Sequence, residues 1–116
     1  MGEPVLIVHG GAGKLSPRQT SDPERKGYER GLADALRAGQ AKLLSGGSAL
    51  DAVCTAVASL EDNPLFNAGR GAVLCADGSI ELSASVMDGS SLAVGAMACL
   101  RRTRNPVLGA RSMMSH

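Results

Sequence analysis

The sequence predicts an α+β fold, in which helices pack on one face of a mostly antiparallel sheet. Apolar residues recur at helical spacing between positions 21 and 62, and short apolar runs separated by tight turns follow between positions 72 and 100. The chain has 116 residues, of which 44% are hydrophobic, so its size and composition suit one globular domain. The expected order is strand, helix, helix, three strands and a final helix.

The chain begins with a predicted strand that leads into a glycine-rich loop. Residues Pro4 to Val8 are apolar and mostly β-branched, which is typical of a strand buried on both faces. The segment His9 to Gly13 follows it. The polar stretch from Lys14 to Thr20 contains Pro17 and is predicted to be a loop.

The first predicted helix begins at Ser21, whose hydroxyl can cap it while Glu24 returns a bond to the cap residue. Pro23 is compatible with the first helical turn. One apolar stripe at helical spacing follows. Its members are Tyr28, Leu32, Leu36, Gly39 and Leu43. Gly46 and Gly47 end the helix.

A second helix is predicted to begin at Ser48, with Asp51 three residues later in the same capping arrangement. Its apolar face consists of Ala52, Val53, Ala56, Val57 and Leu60. Asn63 and Pro64 end it, because a residue before proline disfavours the helical conformation. So few residues join the two helices that we expect them to pack as an antiparallel pair.

The pattern then changes from helix to strand. Asp77 and Gly78 lie between the apolar runs 72–75 and 80–83, and an Asp-Gly pair in that position is a strong hairpin signal. A further strand is predicted over Leu92 to Leu100. Residues Val107 to Met114 follow a turn and begin a predicted third helix.

Composition excludes several classes of protein. The 12 basic and 11 acidic residues are mixed along the chain, for a net charge of +1, which is unlike the one-sided basic surface of a nucleic-acid-binding protein. No apolar run approaches the roughly 18 residues that a membrane-spanning helix needs. Met1 to Val8 lacks the basic start and long apolar region of a signal peptide. We therefore expect a cytoplasmic protein with neither a nucleic-acid nor a membrane partner.

The cysteines and aromatic residues are few. Cys54, Cys75 and Cys99 lie far apart without a C-x-x-C pair, which argues against a disulfide framework or a zinc site. Cys54 is expected to be a small buried hydrophobe. Tyr28 and Phe66 are the only aromatic residues, although aromatic rings usually dominate core burial. A core so short of bulk indicates that more chain, or a partner, completes it.

The glycine-rich loop does not match a nucleotide-binding motif. A phosphate-binding loop would need Gly at the position of Val8 and Ser or Thr at the position of Leu15. A dinucleotide-binding loop that used Gly11 and Gly13 would need its third Gly at the position of Ser16. Glycines after a strand instead allow the backbone to approach another group closely. His9 could act as a general base, or it could be structural, because no Ser, Cys or Asp is placed to work with it.

The stretch from Leu60 to Gly69 leaves a helix through acidic, amide and small residues. A loop of this kind can surround a cation with backbone carbonyl groups. It can equally be an irregular connection between a helix and a strand, and the residues by themselves leave both readings open.

Taken together, five segments resemble the plant-type L-asparaginase/isoaspartyl peptidase family of N-terminal-nucleophile hydrolases. In order, they are HGGAG (9–13), GGSALDAV (46–53), LEDNPLFNAGRGAVL (60–74), SASVMDG (83–89) and AVGAMACLRRTRNPVLGAR (93–111). The resemblance implies an α-β-β-α sandwich. It also implies a precursor that cuts itself before a threonine, which then becomes the N-terminal nucleophile of a β-subunit with its own amine as base.

The resemblance also implies roles for individual residues. His9, Gly10 and Gly11 would lie close to the self-cleavage site, and Asn67 would lie near the nucleophile. The family's loop binds a structural sodium ion through backbone carbonyls, at positions that match Leu60, Glu61, Asn63, Phe66, Ala68 and Arg70. No other cofactor is implied. The implied partners are a small aspartyl amide substrate, a β-subunit and a second protomer of a homodimer.

The sequence departs from the family pattern at several points. Ser83 stands where the family usually has Asp, and the long Arg70 stands where a smaller residue is usual. Thr20, Thr55 and Thr103 follow Gln, Cys and Arg, so none of them forms the Gly-Thr junction at which the precursor is cut. The catalytic nucleophile is therefore not among these 116 residues.

We accordingly expect residues 1–116 to form an incomplete asparaginase-family domain, the α-subunit portion. The complete enzyme would hydrolyse L-asparagine to L-aspartate and ammonia and cleave β-aspartyl dipeptides, whereas these residues alone would be inactive. One alternative is a non-enzymatic, truncated isoform that pairs or competes with a full-length protomer. Another is an independent small binding module.

Overall fold

The computed structural model describes residues 2–13, 16 and 18–115, and it is a mixture of helices and a small antiparallel sheet. The elements are α1 (Asp22–Leu44), α2 (Ala49–Asp62), β1 (Leu82–Met87), β2 (Val94–Leu100) and α3 (Pro106–Met113), with a short 3-10 turn at Gly69–Gly71. This arrangement agrees with the predicted α+β class. The predicted loop at 14–20 includes Lys14, Leu15 and Pro17, which lie outside the described residues.

The two long helices begin where their capping residues predict. The Ser21 hydroxyl accepts a bond from the Glu24 N–H at 3.4 Å. At α2 the capping box is complete, because the Asp51 N–H donates to the Ser48 hydroxyl at 3.1 Å and the Ser48 N–H donates back to the Asp51 carboxylate at 3.0 Å. These bonds satisfy backbone donors that a helix N-terminus leaves unpaired.

The helices α1 and α2 pack against each other through small residues. A Cβ at Gly39 would lie 3.0 Å from the Ala52 carbonyl oxygen and 2.5 Å from the Leu6 side chain. Gly39 therefore allows α2 and the N-terminal segment to approach α1 at the same point. This packing confirms the predicted helix pair.

The segment from Pro4 to Val8 is not a strand, so that prediction is wrong. Val5 and Ile7 are 82% and 83% exposed, while Leu6 and Val8 face the helices. Within the described part of the chain no strand pairs with this segment. An apolar, β-branched run favours extended backbone, but a strand also needs a neighbour to accept its hydrogen bonds.

The hairpin at Asp77–Gly78 is confirmed as a turn but not as a pair of strands. The Cys75 N–H donates to the Ser79 carbonyl at 2.8 Å, and Gly78 adopts a φ of +80°. The regular ladder begins later, at Leu82, and pairs β1 with β2. The sheet among the described residues therefore has two strands, whereas the sequence predicted four strands when the segment Pro4 to Val8 is included.

The described core consists of two small clusters. One joins α2, β1 and α3 through Cys54, Val86, Val107 and Ala110, so Cys54 is buried as predicted. The other joins α1 to the loop after α2 through Ala35, Leu60 and Phe66. The opposite face of the sheet is exposed along Ser83, Ser85, Met87, Val94 and Ala96. None of the described helices is both long and apolar enough to cross a membrane.

Candidate functional site

The turn at His9–Gly11 lies against the loop formed by residues 60–71, and the ring of Phe66 is the contact between them. A Cβ at Gly10 would lie 2.9 Å from Cε1 of Phe66 and 3.3 Å from the Leu32 side chain. The backbone of Gly10 is thus in direct contact with the ring. The structure brings together two segments that are more than 50 positions apart.

The Phe66 ring is held from the other side by α1. It is 3% exposed, and the Tyr28 ring meets it edge to face, with centroids 5.6 Å apart and planes at 84°. A Cβ at Gly31 would lie 2.6 Å from the ring. Such aromatic pairs contribute about 0.5–1.5 kcal/mol beyond the area they bury. The ring therefore occupies a fixed position between α1 and the His9–Gly11 turn.

His9 makes its observed bond within its own turn. The Gly11 N–H donates to Nδ1 of His9 at 3.0 Å, and Gly11 adopts a φ of +99°, a conformation that favours glycine. Because Nδ1 accepts this bond, the neutral imidazole carries its proton on Nε2. The side chain is exposed, so Nε2 faces solvent or a neighbour that approaches the turn.

Residues 60–71 form a succession of tight turns that are closed by hydrogen bonds between nearby backbone groups. The Phe66 carbonyl accepts from the Ala68 N–H at 2.8 Å, and the Ala68 carbonyl accepts from the Gly71 N–H at 3.1 Å. The carbonyls of Leu60 and Asn63 accept bonds of the same kind, at 3.2 and 3.3 Å. A carbonyl oxygen has two lone pairs, so each of these groups keeps one for a further partner.

Two glycines leave room for this crowding of carbonyl groups. A Cβ at Gly71 would lie 2.2 Å from the Phe66 carbonyl oxygen, and a Cβ at Gly69 would lie 2.5 Å from that of Glu61. No three His, Cys, Asp or Glu side chains in the described part of the chain are grouped to hold a metal ion. A metal ion in this loop would therefore have to be held by backbone oxygens.

Asn67 lines a cleft of about 270 Å³, together with Ala68 and Gly69 of the same loop. Its Oδ1 accepts from the Val73 N–H at 3.0 Å. Glu81, which precedes β1, and Ser83, the second residue of β1, line the same cleft. Of the sequence-predicted residues, Glu61, Asn67 and Ala68 thus line the cleft, whereas Gly10 packs on Phe66. The loop connects the two groups.

Glu61 has a role that the sequence did not predict, since only its carbonyl group was singled out. Its carboxylate is 2% exposed, and Oε1 accepts from the Val107 N–H of α3 at 3.0 Å, while Oε2 has no hydrogen-bond partner. Asn105 precedes α3 without capping it. Glu61 therefore supplies the missing cap from the end of α2. A partner 46 residues away leaves no local sequence signal.

Burial raises the pKa of the Glu61 carboxyl above its usual 4.5, and the nearby Asp62 charge adds to this, while the bond from the Val107 N–H opposes it. Asp62 behaves oppositely, because the Arg104 guanidinium and the Asn105 amide lower its pKa. Arg104 lies 3.2 Å from Asp62, in an exposed ion pair. The Glu61–Val107 hydrogen bond and the Asp62–Arg104 ion pair hold the end of α2 against the start of α3.

Two substitutions separate the hydrogen bond of Glu61 from its charge. Glu61→Leu leaves the Val107 N–H buried and unpaired, and we expect it to lower the free energy of unfolding by about 1–3 kcal/mol. Glu61→Gln keeps an acceptor for that N–H and carries no charge. It is expected to unfold at the same urea concentration as the wild type at pH 7, or at a higher one. A Glu61→Gln variant as unstable as Glu61→Leu would contradict this assignment.

The same pair predicts a pH dependence. Because the folded pKa of Glu61 is raised, its stabilising contribution is complete below the unfolded value of 4.5 and is lost as the pH rises through the folded pKa. The free energy of unfolding of the wild type, relative to Glu61→Gln, should therefore increase as the pH falls towards 4.5. The other carboxylates are present in both proteins, so their effects cancel when the two free energies of unfolding are subtracted. A difference in free energy that does not vary with pH would contradict the raised pKa of Glu61.

Comparison with known proteins places this site in a family. A family profile described as asparaginase matches residues 2–116. The isoaspartyl peptidase/L-asparaginase of Danio rerio is 49% identical over 111 residues, covering 96% of this chain and 34% of the relative. The isoaspartyl peptidase of Escherichia coli strain K12 is 48% identical over 114 residues (98% and 36%), and the isoaspartyl peptidase/L-asparaginase of Homo sapiens is 42% identical over 112 residues (96% and 35%).

The loops described above therefore correspond to loops in the N-terminal part of these relatives. The chain spans about a third of the length of the curated relatives that it matches. The family profile covers the His9 turn, the loop of residues 60–71 and the Asn67 cleft within one continuous match. This chain belongs to the asparaginase family.

Proposed function

We propose that this chain is the N-terminal part of an amidohydrolase that releases ammonia from L-asparagine and cleaves β-aspartyl dipeptides. The observation that carries the proposal is the continuous match of residues 2–116 to the asparaginase family, with relatives named isoaspartyl peptidase and L-asparaginase at 42–49% identity. The geometry adds support, because the loop of residues 60–71 both lines the Asn67 cleft and contacts the turn next to His9.

The proposed chemistry divides between these residues and a nucleophile outside them. A threonine hydroxyl would attack the amide carbon of the substrate side chain, ammonia or the amine of a dipeptide would leave, and water would hydrolyse the resulting ester. Asn67, the residue at the cleft, would lie near that nucleophile. His9, Gly10 and Gly11 would support it from the adjoining turn.

The threonines of this chain do not suit the role of nucleophile. Thr55 lies inside α2, where its hydroxyl donates to the Asp51 carbonyl at 2.8 Å. Thr20 and Thr103 follow Gln and Arg, away from any Gly-Thr junction. The proposed role of residues 1–116 is therefore to position and support the nucleophile, and by themselves they are inactive.

We propose sodium as a structural cation of the loop of residues 60–71. The carbonyl groups that would hold it belong to Leu60, Glu61, Asn63, Phe66, Ala68 and Arg70. When bound, such an ion supplies positive charge that fixes the turns and performs no redox step. The long side chain at Arg70 is compatible with this role, because it is exposed and a carbonyl ligand does not depend on the side chain.

The exposed sheet face suggests how the domain is completed. Met87 and Val94 are 53% and 58% exposed on that face, and a second sheet packed there would produce the proposed α-β-β-α sandwich. The β-subunit and a second protomer are the proposed partners. Cys54, Cys75 and Cys99 are free thiols, which is consistent with a reducing compartment and supports our proposal of a cytoplasmic location.

If the nucleophile lies outside residues 1–116, these residues alone are expected to be inactive. Purified residues 1–116 should release neither ammonia from L-asparagine nor aspartate from a β-aspartyl dipeptide. An intact relative assayed in parallel is the positive control. Turnover by residues 1–116 alone would contradict the claim that the nucleophile lies outside them. Within a complete enzyme the same residues are expected to support both reactions.

The exposed face also favours a second candidate function, a non-enzymatic isoform that pairs with a full-length protomer. Co-expression with an intact relative followed by affinity capture tests it. Association that is weakened by a Val94→Lys substitution on the exposed face would support pairing. Absence of association would exclude this role.

A further inference from the structure

The turn at His9–Gly11 contacts the protein interior on both sides of its histidine. Val8, the residue before His9, packs against the buried cluster that contains Phe66. Gly10, the residue after it, lies on the Phe66 ring, since a Cβ at Gly10 would be 2.9 Å from Cε1 of that ring. His9 itself is exposed. The backbone of the turn is therefore held by the interior, while the imidazole remains accessible.

The Phe66 ring has no space in which to shift. It is 3% exposed, and the Tyr28 ring meets it edge to face with centroids 5.6 Å apart. A Cβ at Gly31 of α1 would lie 2.6 Å from Cε2, whereas Gly10 meets the ring at Cε1. Side chains in an interior packed this closely have few alternative positions. The ring is therefore a rigid spacer between α1 and the turn.

The backbone of the turn decides which nitrogen His9 presents to its surroundings. The Gly11 N–H donates to Nδ1 of His9 at 3.0 Å, in a turn where Gly11 adopts a φ of +99°. This bond occupies Nδ1 and leaves the proton of the neutral imidazole on Nε2. A hydrogen bond weakens steeply when its angle closes. A turn that moved into the space of a missing ring would therefore lose the bond that orients the imidazole.

We infer that Phe66 is a positioning residue for His9, because its ring holds the turn in the conformation in which His9 presents the Nε2–H. Phe66 acts through Gly10 and not by contact with the substrate, so its loss changes a rate rather than an affinity. The effect on hydrolysis rests on the proposed amidohydrolase function, in which the turn supports the nucleophile. The effect on the turn itself depends only on the contacts of the ring.

Nuclear magnetic resonance of the 116-residue chain tests the effect on the turn. In the wild type the ring current of Phe66 should displace the signals of the Gly10 α-protons, and the bond to His9 should protect the Gly11 amide from hydrogen exchange. Phe66→Leu is expected to remove the displacement. It should also accelerate exchange of the Gly11 amide roughly fivefold, as expected for the loss of one ordinary hydrogen bond.

Two control variants separate this local effect from a general loss of stability. Leu65→Ala removes a side chain of the same loop that contacts α1 near Gly27 instead of the turn. Val86→Ala removes buried volume from the other core cluster, which joins α2, β1 and α3. Both are expected to leave the exchange rate of the Gly11 amide as it is in the wild type.

A second pair of variants keeps the ring and displaces the turn. The Cβ of Gly10→Ala would press on the ring at 2.9 Å, so this variant should accelerate exchange of the Gly11 amide as Phe66→Leu does. Gly13→Ala is its matched control, since nothing lies within 4 Å of the added Cβ. It should leave the exchange rate unchanged.

The effect on catalysis is measured in a complete enzyme, in which residues 1–116 are joined to the remaining part of an intact relative. Phe66→Leu should lower kcat for L-asparagine about 10- to 100-fold, because a small misplacement of a supporting group is enough to slow a reaction by that factor. The KM should remain unchanged. Leu65→Ala is expected to change neither constant.

Several results would overturn the inference. Exchange of the Gly11 amide that is equal in Phe66→Leu and the wild type, or that Val86→Ala accelerates as much, would show that the ring does not hold the turn. A rise in KM without a fall in kcat would exclude a positioning role. A wild-type spectrum without the dispersion of a folded protein would contradict the contact itself. Failure of the amidohydrolase proposal is distinguishable, because the complete enzyme with Phe66 intact would then release no ammonia, whatever the exchange rates are.

Discussion

Replacing Gly95 with alanine is expected to cause the largest loss of stability of any single methyl addition in this chain. A Cβ at Gly95 would lie 1.9 Å from the Ala110 carbonyl oxygen and 2.8 Å from the Met114 side chain. The first of these neighbours is helix backbone and cannot rotate away, so β2 and α3 must separate. Their separation would open the cluster that contains Val107 and Ala110.

Overpacking of this kind costs about 1–3 kcal/mol, occasionally more, and we expect Gly95→Ala to reach or exceed the upper end of that range. Urea unfolding followed by circular dichroism measures it. Gly89→Ala is the matched control, because nothing lies within 4 Å of its added Cβ, and its effect should remain within about 0.5 kcal/mol. Equal midpoints for the two variants would show that β2 does not cross α3 as described.

The second large effect is expected from Gly71→Ala, in the candidate cation loop. The added Cβ would lie 2.2 Å from the Phe66 carbonyl oxygen and 2.5 Å from that of Pro64. Both neighbours are backbone atoms, so the turns must open and the carbonyl groups must diverge. We expect a loss of about 2–3 kcal/mol and, in addition, the loss of any stabilisation by sodium.

Thermal unfolding of Gly71→Ala and of Gly89→Ala, each in sodium chloride and in choline chloride, separates these two consequences. A ligand that binds the native state raises its stability in proportion to the logarithm of its concentration. The Gly89→Ala control should retain the sodium-dependent increase in Tm that we expect of the wild type. A Gly71→Ala variant that retained the same increase would be inconsistent with a cation held by these carbonyl groups.

The sequence predicted the helices well because their signals are local. The Ser48–Asp51 capping box operates within one turn, and Pro106 at the start of α3 restricts only its own backbone and that of the residue before it. Strands differ in this respect. The segments 4–8 and 72–75 have the composition of strands, but a strand also needs a neighbouring strand, and among the described residues none pairs with either segment.

The candidate site was predicted in part, for the same physical reason. Family resemblance located His9, Asn67 and the loop of residues 60–70, and tight turns within that loop are observed. The contact of Gly10 with Phe66 and the cap that Glu61 gives to α3 depend on tertiary packing between distant segments. No periodicity or short motif encodes such contacts, so the sequence alone did not indicate them.

The measurement that most directly tests the account is ammonia release by a chimaera. In it residues 1–116 replace the matching N-terminal third of the Escherichia coli isoaspartyl peptidase, to which they are 48% identical over 114 residues. We predict that the chimaera hydrolyses L-asparagine and a β-aspartyl dipeptide, and that Gly71→Ala within it abolishes both activities while Gly89→Ala preserves them. A folded chimaera that releases no ammonia would contradict the claim that these residues position and support the nucleophile of an amidohydrolase.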